Sequence, residues 1–201
     1  MVDPRWIQIG VLSGLLAASL TTGDFAPTLT SVGLLLLSVQ LCQWLCCRLV
    51  RQPFDWRSPL ISALSLCILM RVGSYWTLGF VAVLAIGSKF VFRFHGKHFF
   101  NPTNFAIVAL LVTGSGWVEH GQWNNTLAFA AVLLPVAVVL LSFGRRLDIS
   151  VAFLIMYGGL QLGYRFWLGD PVTLFWHQMT QTSLIIFTFF MISDPRSTPD
   201  T

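Results

Sequence analysis

Long apolar runs and short polar links alternate from one end of the chain to the other. The runs are Ile7–Leu20, Leu29–Leu49, Pro59–Met70, Trp76–Phe92, Pro102–Trp117, Thr126–Phe143, Ile149–Trp167 and Leu174–Ser193. A helix needs about 20 predominantly apolar residues to cross a bilayer. The pattern therefore predicts an all-α, polytopic transmembrane bundle with about eight membrane segments. Ile7–Leu20, Pro59–Met70 and Pro102–Trp117 fall short of a full span, which points to broken or re-entrant helices there. Arg5 ahead of Ile7–Leu20 mimics a signal peptide. No A-x-A-like site is clearly placed after that run, however, and further apolar segments follow, so it is read as the first membrane segment. No polar half interrupts the pattern, so a single integral membrane domain over residues 1–201 is expected.

Composition sharpens this picture. Of 201 residues, 55% are hydrophobic and 10% charged, whereas soluble domains carry about 25% charged residues. The mean hydropathy of +0.74 fits the same reading. So few charges cannot cover a water-facing surface. Twelve basic and eight acidic residues leave a net charge of +4. The basic residues sit mostly in the links and form no stripe interleaved with exposed aromatics, which suits a phospholipid surface and argues against nucleic acid.

With the N-terminus placed inside, alternating the links between sides puts Arg5, Arg48, Arg51, Arg57, Lys89, Arg93, Lys97, Arg145, Arg146 and Arg196 on one side. The other side receives only Arg71 and Arg165. By the positive-inside rule both termini are then cytoplasmic, and the short segments are expected to cross. Asp24, Glu119 and Asp170 fall in the outer links. Trp6, Trp56, Trp76, Trp117, Trp123 and Trp167 lie near segment ends, where an indole satisfies lipid and water together.

The cysteines Cys42, Cys46, Cys47 and Cys67 lie inside apolar runs, unlike the spaced framework of a small secreted domain. Cys42 and Cys46 share a helical face, but a metal or iron–sulfur site would need ligands from elsewhere, and buried thiols are the simpler reading. His177 opens the last run, where it could relay protons or simply sit at the interface. Glu119-His120 and the sequon Asn124-Asn125-Thr126 receive no role. The signatures of nucleotide hydrolysis, zinc proteolysis and serine hydrolysis are absent, so a self-sufficient enzyme is not expected.

The link from Lys89 to Asn104, KFVFRFHGKHFFNPTN, concentrates basic and imidazole side chains. Pro102 lacks a backbone donor and biases Asn101 away from helix, so the chain should break at Asn101 and restart near Thr103. Two readings of that restart stay open. Asn101 could be an ordinary cap among positive-inside residues. Alternatively, the helix N-terminus could bind phosphate, carboxylate or a reduced anionic ring. A second break, Ile192-Ser193-Asp194-Pro195-Arg196-Ser197-Thr198-Pro199, pairs with the first as interrupted helices do in inverted-repeat folds.

Gly96-Lys97-His98-Phe99-Phe100-Asn101-Pro102-Thr103-Asn104-Phe105 and Phe189-Phe190-Met191-Ile192-Ser193-Asp194-Pro195 resemble the two signature stretches of the RnfD/NqrB membrane family. That family includes the D subunit of Rnf complexes and the B subunit of sodium-pumping NADH:quinone reductase. The first stretch is most similar in wording to stand-alone relatives encoded with enediyne biosynthesis. The resemblance implies two inverted repeats, about 1–125 and 126–201, in a urea-transporter-like bundle. It also implies flavin- or quinone-linked, ion-coupled electron transport in a bacterial inner membrane, alongside other membrane or redox subunits. The family's S-G-A-T-like attachment motif does not occur, and Thr113-Gly114-Ser115-Gly116 is no substitute. A non-covalent riboflavin, FMN or quinone is therefore expected rather than covalent FMN. Family members continue with further apolar segments, whereas this sequence stops at Thr201, so the second repeat is expected to be incomplete or completed by a partner.

The expected function is a membrane subunit of an electron-transport system, with Lys97, His98, Asn101, Asn104, Asp194, Ser197 and Thr198 as cofactor-binding residues. The alternatives are a small-solute or ion transporter of the same fold and a structural subunit of a larger membrane complex.

Overall fold

The computed structural model describes residues 4–22, 27–94, 97–98, 100–118, 147–181, 183–184 and 187–188. Two compact units divide the chain between residues 122 and 123. In the first, α1 (Pro4–Thr22), α2 (Leu29–Val50) and α3 (Arg57–Leu69) precede strand β1 (Met70–Val72) and α4 (Tyr75–Val91). The short strands β2 (Arg93–Phe94) and β3 (Lys97–His98), then α5 (Pro102–Thr113) and β4 (Gly116–Val118), complete it. The second unit contains α6 (Leu147–Leu168) and α7 (Val172–Met179).

Local chemistry sets most of these boundaries. The Thr28 hydroxyl accepts the Ser31 N–H at 3.2 Å and opens α2, a standard use of a threonine N-cap. Gly114, at φ 64°, ends α5 in the left-handed region, where a residue without Cβ carries no steric penalty. Gly169, at φ 73°, does the same after α6.

The centre of the first unit is α3, which shows no amphipathic face: Ser62 through Leu69 are all buried. It packs against α1 and α2, while α4 packs on both α2 and α5. A helix enclosed on every side must satisfy its ends from other segments. Arg71 does this at the C-terminus, its Nη1 donating to the carbonyls of Cys67, Met70 and Ile68 at 2.8, 2.9 and 3.3 Å. A cation at that end also meets the negative pole of the helix. At the other end Asp55 accepts from Arg5 Nη1 at 2.7 Å and from the backbone N–H and Nε of Arg57 at 3.1 and 3.3 Å. This ties α1 to the start of α3.

β1 and β4 pair antiparallel, with Met70 opposite Val118, Arg71 opposite Trp117 and Val72 opposite Gly116. The strands approach so closely at Gly116 that a Cβ there would lie 2.7 Å from the Arg71 carbonyl oxygen. The run Pro102–Trp117 is therefore a helix followed by a strand rather than one segment.

In the second unit the Ser150 hydroxyl donates to the Thr188 carbonyl at 3.0 Å, and Phe153 meets Phe187 at 5.3 Å between ring centroids. α7 ends after eight residues, where the Thr180 hydroxyl donates back to the carbonyls of Trp176 and His177. The expected continuous segment Leu174–Ser193 is thus interrupted. The run Thr126–Phe143 lies outside the described residues.

The expectation of about eight membrane segments arranged as inverted repeats is corrected here. Among the described residues, α2 is the one helix long and apolar enough to cross a bilayer. Within the first unit the physical reason is largely length. α3, α4 and α5 have 13, 17 and 12 residues, which at 1.5 Å per residue gives about 20, 26 and 18 Å against a hydrocarbon core of about 30 Å. α1 has 19 residues, but Arg5 and Gln8 dilute its apolar character.

Gly116→Ala forces the β1–β4 pair apart at the Arg71 carbonyl and should cost about 1 to 3 kcal/mol, read as a lowered midpoint of chemical denaturation. Partial burial pushes the Asp55 carboxyl up, but the Arg57 N–H and the Arg5 and Arg57 charges outweigh it and hold the group below its ordinary value of 3.8. Its stabilisation is therefore complete above that value and lost as pH falls through the lower folded value. Unfolding curves taken from neutral to strongly acidic pH should show the native chain losing about 1 kcal/mol more than Asp55→Asn; equal losses would remove the ion pair from the account.

Candidate functional site

The stretch singled out between Lys89 and Asn104 folds as a tight antiparallel hairpin leading into α5. Arg93 pairs with His98 and Phe94 with Lys97. The Arg93 guanidinium is fixed by three contacts. Its Nε donates to the Lys89 carbonyl at 2.7 Å, its two terminal nitrogens donate to Gln52 Oε1 at 3.3 and 3.2 Å, and it lies 4.6 Å from the Phe90 ring centroid. Lys89 itself is buried and donates to the Ser58 hydroxyl at 3.1 Å. Beside the hairpin, Phe92, Phe100 and Phe105 form a mutual ring cluster with centroids 5.3 to 5.8 Å apart. This cluster joins the end of α4 to the start of α5.

Asn101 is the cap of α5. Its Oδ1 accepts the N–H groups of Thr103 at 3.0 Å and Asn104 at 3.3 Å, and its carbonyl accepts that of Phe105 at 3.0 Å. Pro102 has no N–H to offer. Every donor of the first turn is thus occupied, so an anion could reach them only by displacing the Asn101 side chain. Of the two readings of this restart, the cap is what the geometry displays.

The other expected site residues divide as follows. His98 is half-buried on β3 and Asn104 is half-buried in the first turn of α5. Lys97 holds its register position opposite Phe94. The structure therefore brings Lys97, His98, Asn101 and Asn104 into one hairpin–helix junction. Asp194, Ser197 and Thr198 lie outside the described residues, as does the Asp194-Pro195 break. His177 is exposed on α7 in the second unit. Cys47 is buried, its sulfur 3.4 Å from Gln43 Nε2. Among the described residues no cluster of three or more His, Cys, Asp or Glu gathers in a metal-binding arrangement.

Two cavities were not foreseen. One, of about 450 Å³, lies between the starts of α2 and α4 and is lined by Thr28, Ser31, Arg71, Ser74, Tyr75 and Trp117 among others. The second, of about 470 Å³, is lined by Trp44, Cys47, Arg48, Arg51, Gln52 and Phe54 at the end of α2. The sequence signal for the second was available in Arg48 and Arg51, two cations in a stretch with no acidic residue between Asp24 and Asp55.

No family model and no curated protein matches the chain.

Because Asn101 accounts for two first-turn donors, Asn101→Ala should destabilise α5 by about 1 kcal/mol, whereas Asn101→Asp should retain the cap. Hydrogen exchange at the Thr103 and Asn104 amides reads this directly; unaltered protection in the alanine variant would show that the carboxamide is not the partner that matters.

Proposed function

We propose that this chain is a membrane-embedded subunit of an electron-transport system, holding a flavin or quinone ring at the hairpin–helix junction. The observation that carries the proposal is the cluster of Phe92, Phe100 and Phe105 set against a basic hairpin, within the stretch that resembles the RnfD/NqrB family. Planar conjugated rings pack favourably on aromatic faces. Phe100 is exposed, and so offers such a face. When bound, the ring would supply the electron-transfer chemistry, and the chain would supply position and charge. The fixed Arg93 guanidinium and the basic side chains of the hairpin favour the negative charge that such a ring gains on reduction.

Membrane placement is part of the same reading, and α2 supports it. Val32, Leu35, Val39, Gln43 and Cys47 form its buried face, while Leu37, Leu41, Leu45 and Leu49 are exposed along another. An unbroken leucine stripe of this kind is disfavoured against water and suited to lipid. The core helix of a soluble protein, by contrast, would be covered on that side.

The decisive test is spectroscopic. Gently purified protein should absorb and fluoresce as a flavoprotein or release quinone, with near-stoichiometric cofactor identified by mass spectrometry after denaturation. Lys97→Met should weaken retention by roughly tenfold or more, the usual consequence of losing a charged hydrogen-bond donor. A folded protein that is colourless and yields an empty extract would overturn the proposal.

A further inference from the structure

The C-terminal end of α2 carries a second feature, separate from the hairpin junction: a cavity lined by Arg48 and Arg51. Among the described residues neither guanidinium has a carboxylate partner. Arg48 lies over the Trp44 ring, 5.3 Å from its centroid. The nearest acid in sequence, Asp55, is held by Arg5 and Arg57. The Oε1 of Gln52, another wall of the cavity, is turned to a third cation, Arg93. A helix C-terminus contributes about half a negative charge, which two guanidinium groups more than offset. The cavity is therefore electropositive.

The backbone at Arg51 points the same way. The Gln52 N–H donates to the Cys47 carbonyl at 2.9 Å and the Arg51 N–H to the Arg48 carbonyl at 3.4 Å. This double closure normally places glycine at the left-handed residue. Arg51 occupies that position at φ 56° and is the one non-glycine residue with positive φ among those described. A charged side chain is thus kept where glycine would be more comfortable.

Position supplies the last constraint. Leu45, Leu49 and Val50 are exposed on the same turns of α2, Leu49 at 83%. Apolar surface therefore adjoins the cationic cavity, with Trp44 and Phe54 in its lining. We infer that this cavity binds the phosphodiester headgroup of an acidic phospholipid, with its acyl chains lying along Leu45 and Leu49. A zwitterionic headgroup brings its own cation to two guanidinium groups and is disfavoured. The inference rests on the membrane placement of α2 proposed above.

The test uses the full chain reconstituted into two kinds of vesicle, phosphatidylcholine alone and phosphatidylcholine with phosphatidylglycerol. Incorporation is scored first by flotation, and lipid retained on the gently extracted protein is then measured by native mass spectrometry. The chain should enter both vesicles and retain phosphatidylglycerol roughly thirtyfold over phosphatidylcholine, at about 1 kcal/mol for each of the two basic residues near the surface. Arg48→Gln with Arg51→Gln should abolish that preference. Arg51→Gly relieves the left-handed strain, so it should fold at least as well as the native chain while still losing about fivefold in preference. Incorporation without any preference, or a preference that survives both substitutions, overturns the inference and leaves the membrane placement standing. Failure to enter either vesicle overturns both. Loss of the preference when inorganic phosphate is added would show a site for the free ion, and the lipid assignment would fall.

Discussion

A thirteen-residue helix with no exposed face must bring its own ends into an environment without water, and the first unit is organised around that demand. The last carbonyls of α3 cannot be left bare, since a buried unpaired carbonyl costs about 1 to 3 kcal/mol. Arg71 reaches back to two of them, and to the Met70 carbonyl just beyond, and to do so it must sit immediately after the helix, in β1. β1 in turn needs a partner strand, which is β4. That pairing brings the Arg71 carbonyl within 2.7 Å of where a Cβ on residue 116 would lie. One enclosed helix thereby fixes an arginine, a strand pair and a glycine.

The same logic runs at the opposite end. The Asp55 carboxylate gathers Arg5 from α1 and Arg57 at the head of α3, while Lys89 from α4 reaches the Ser58 hydroxyl. Charges at this end are largely consumed in holding helices together. The hairpin junction shares that economy, because Arg93 is pinned by Gln52 and the Lys89 carbonyl, and Asn101 spends its oxygen on the α5 cap. Ligand chemistry at the junction therefore depends on the ring cluster and on net charge rather than on spare backbone donors. Arg48 and Arg51 stand apart from this pattern: they line a cavity, and neither closes an ion pair among the described residues.

Much of the local structure was legible in the sequence. The apolar runs located α2, α3 and α4 to within about two residues, because hydropathy reports burial wherever it comes from, lipid or protein. Asn101-Pro102 announced a helix start, because proline and a capping amide act within a single turn. The same hydropathy overestimated the crossings. It measures how apolar a stretch is and says nothing of where a helix stops and a strand begins inside it, as happens at Met70 and again at Gly114.

The sequence by itself determined an apolar, cation-biased chain of helices with a defined break before α5, since propensity, capping and hydropathy are properties of neighbouring residues. The tertiary structure alone decided that residue 70 faces residue 118, that α3 is enclosed on every side, that the donors at the head of α5 are already taken, and that Arg48 and Arg51 share a cavity. Each of these depends on backbones from distant parts of the chain approaching within a few ångströms, and such approaches are set by packing among helices, which no local pattern of residues encodes.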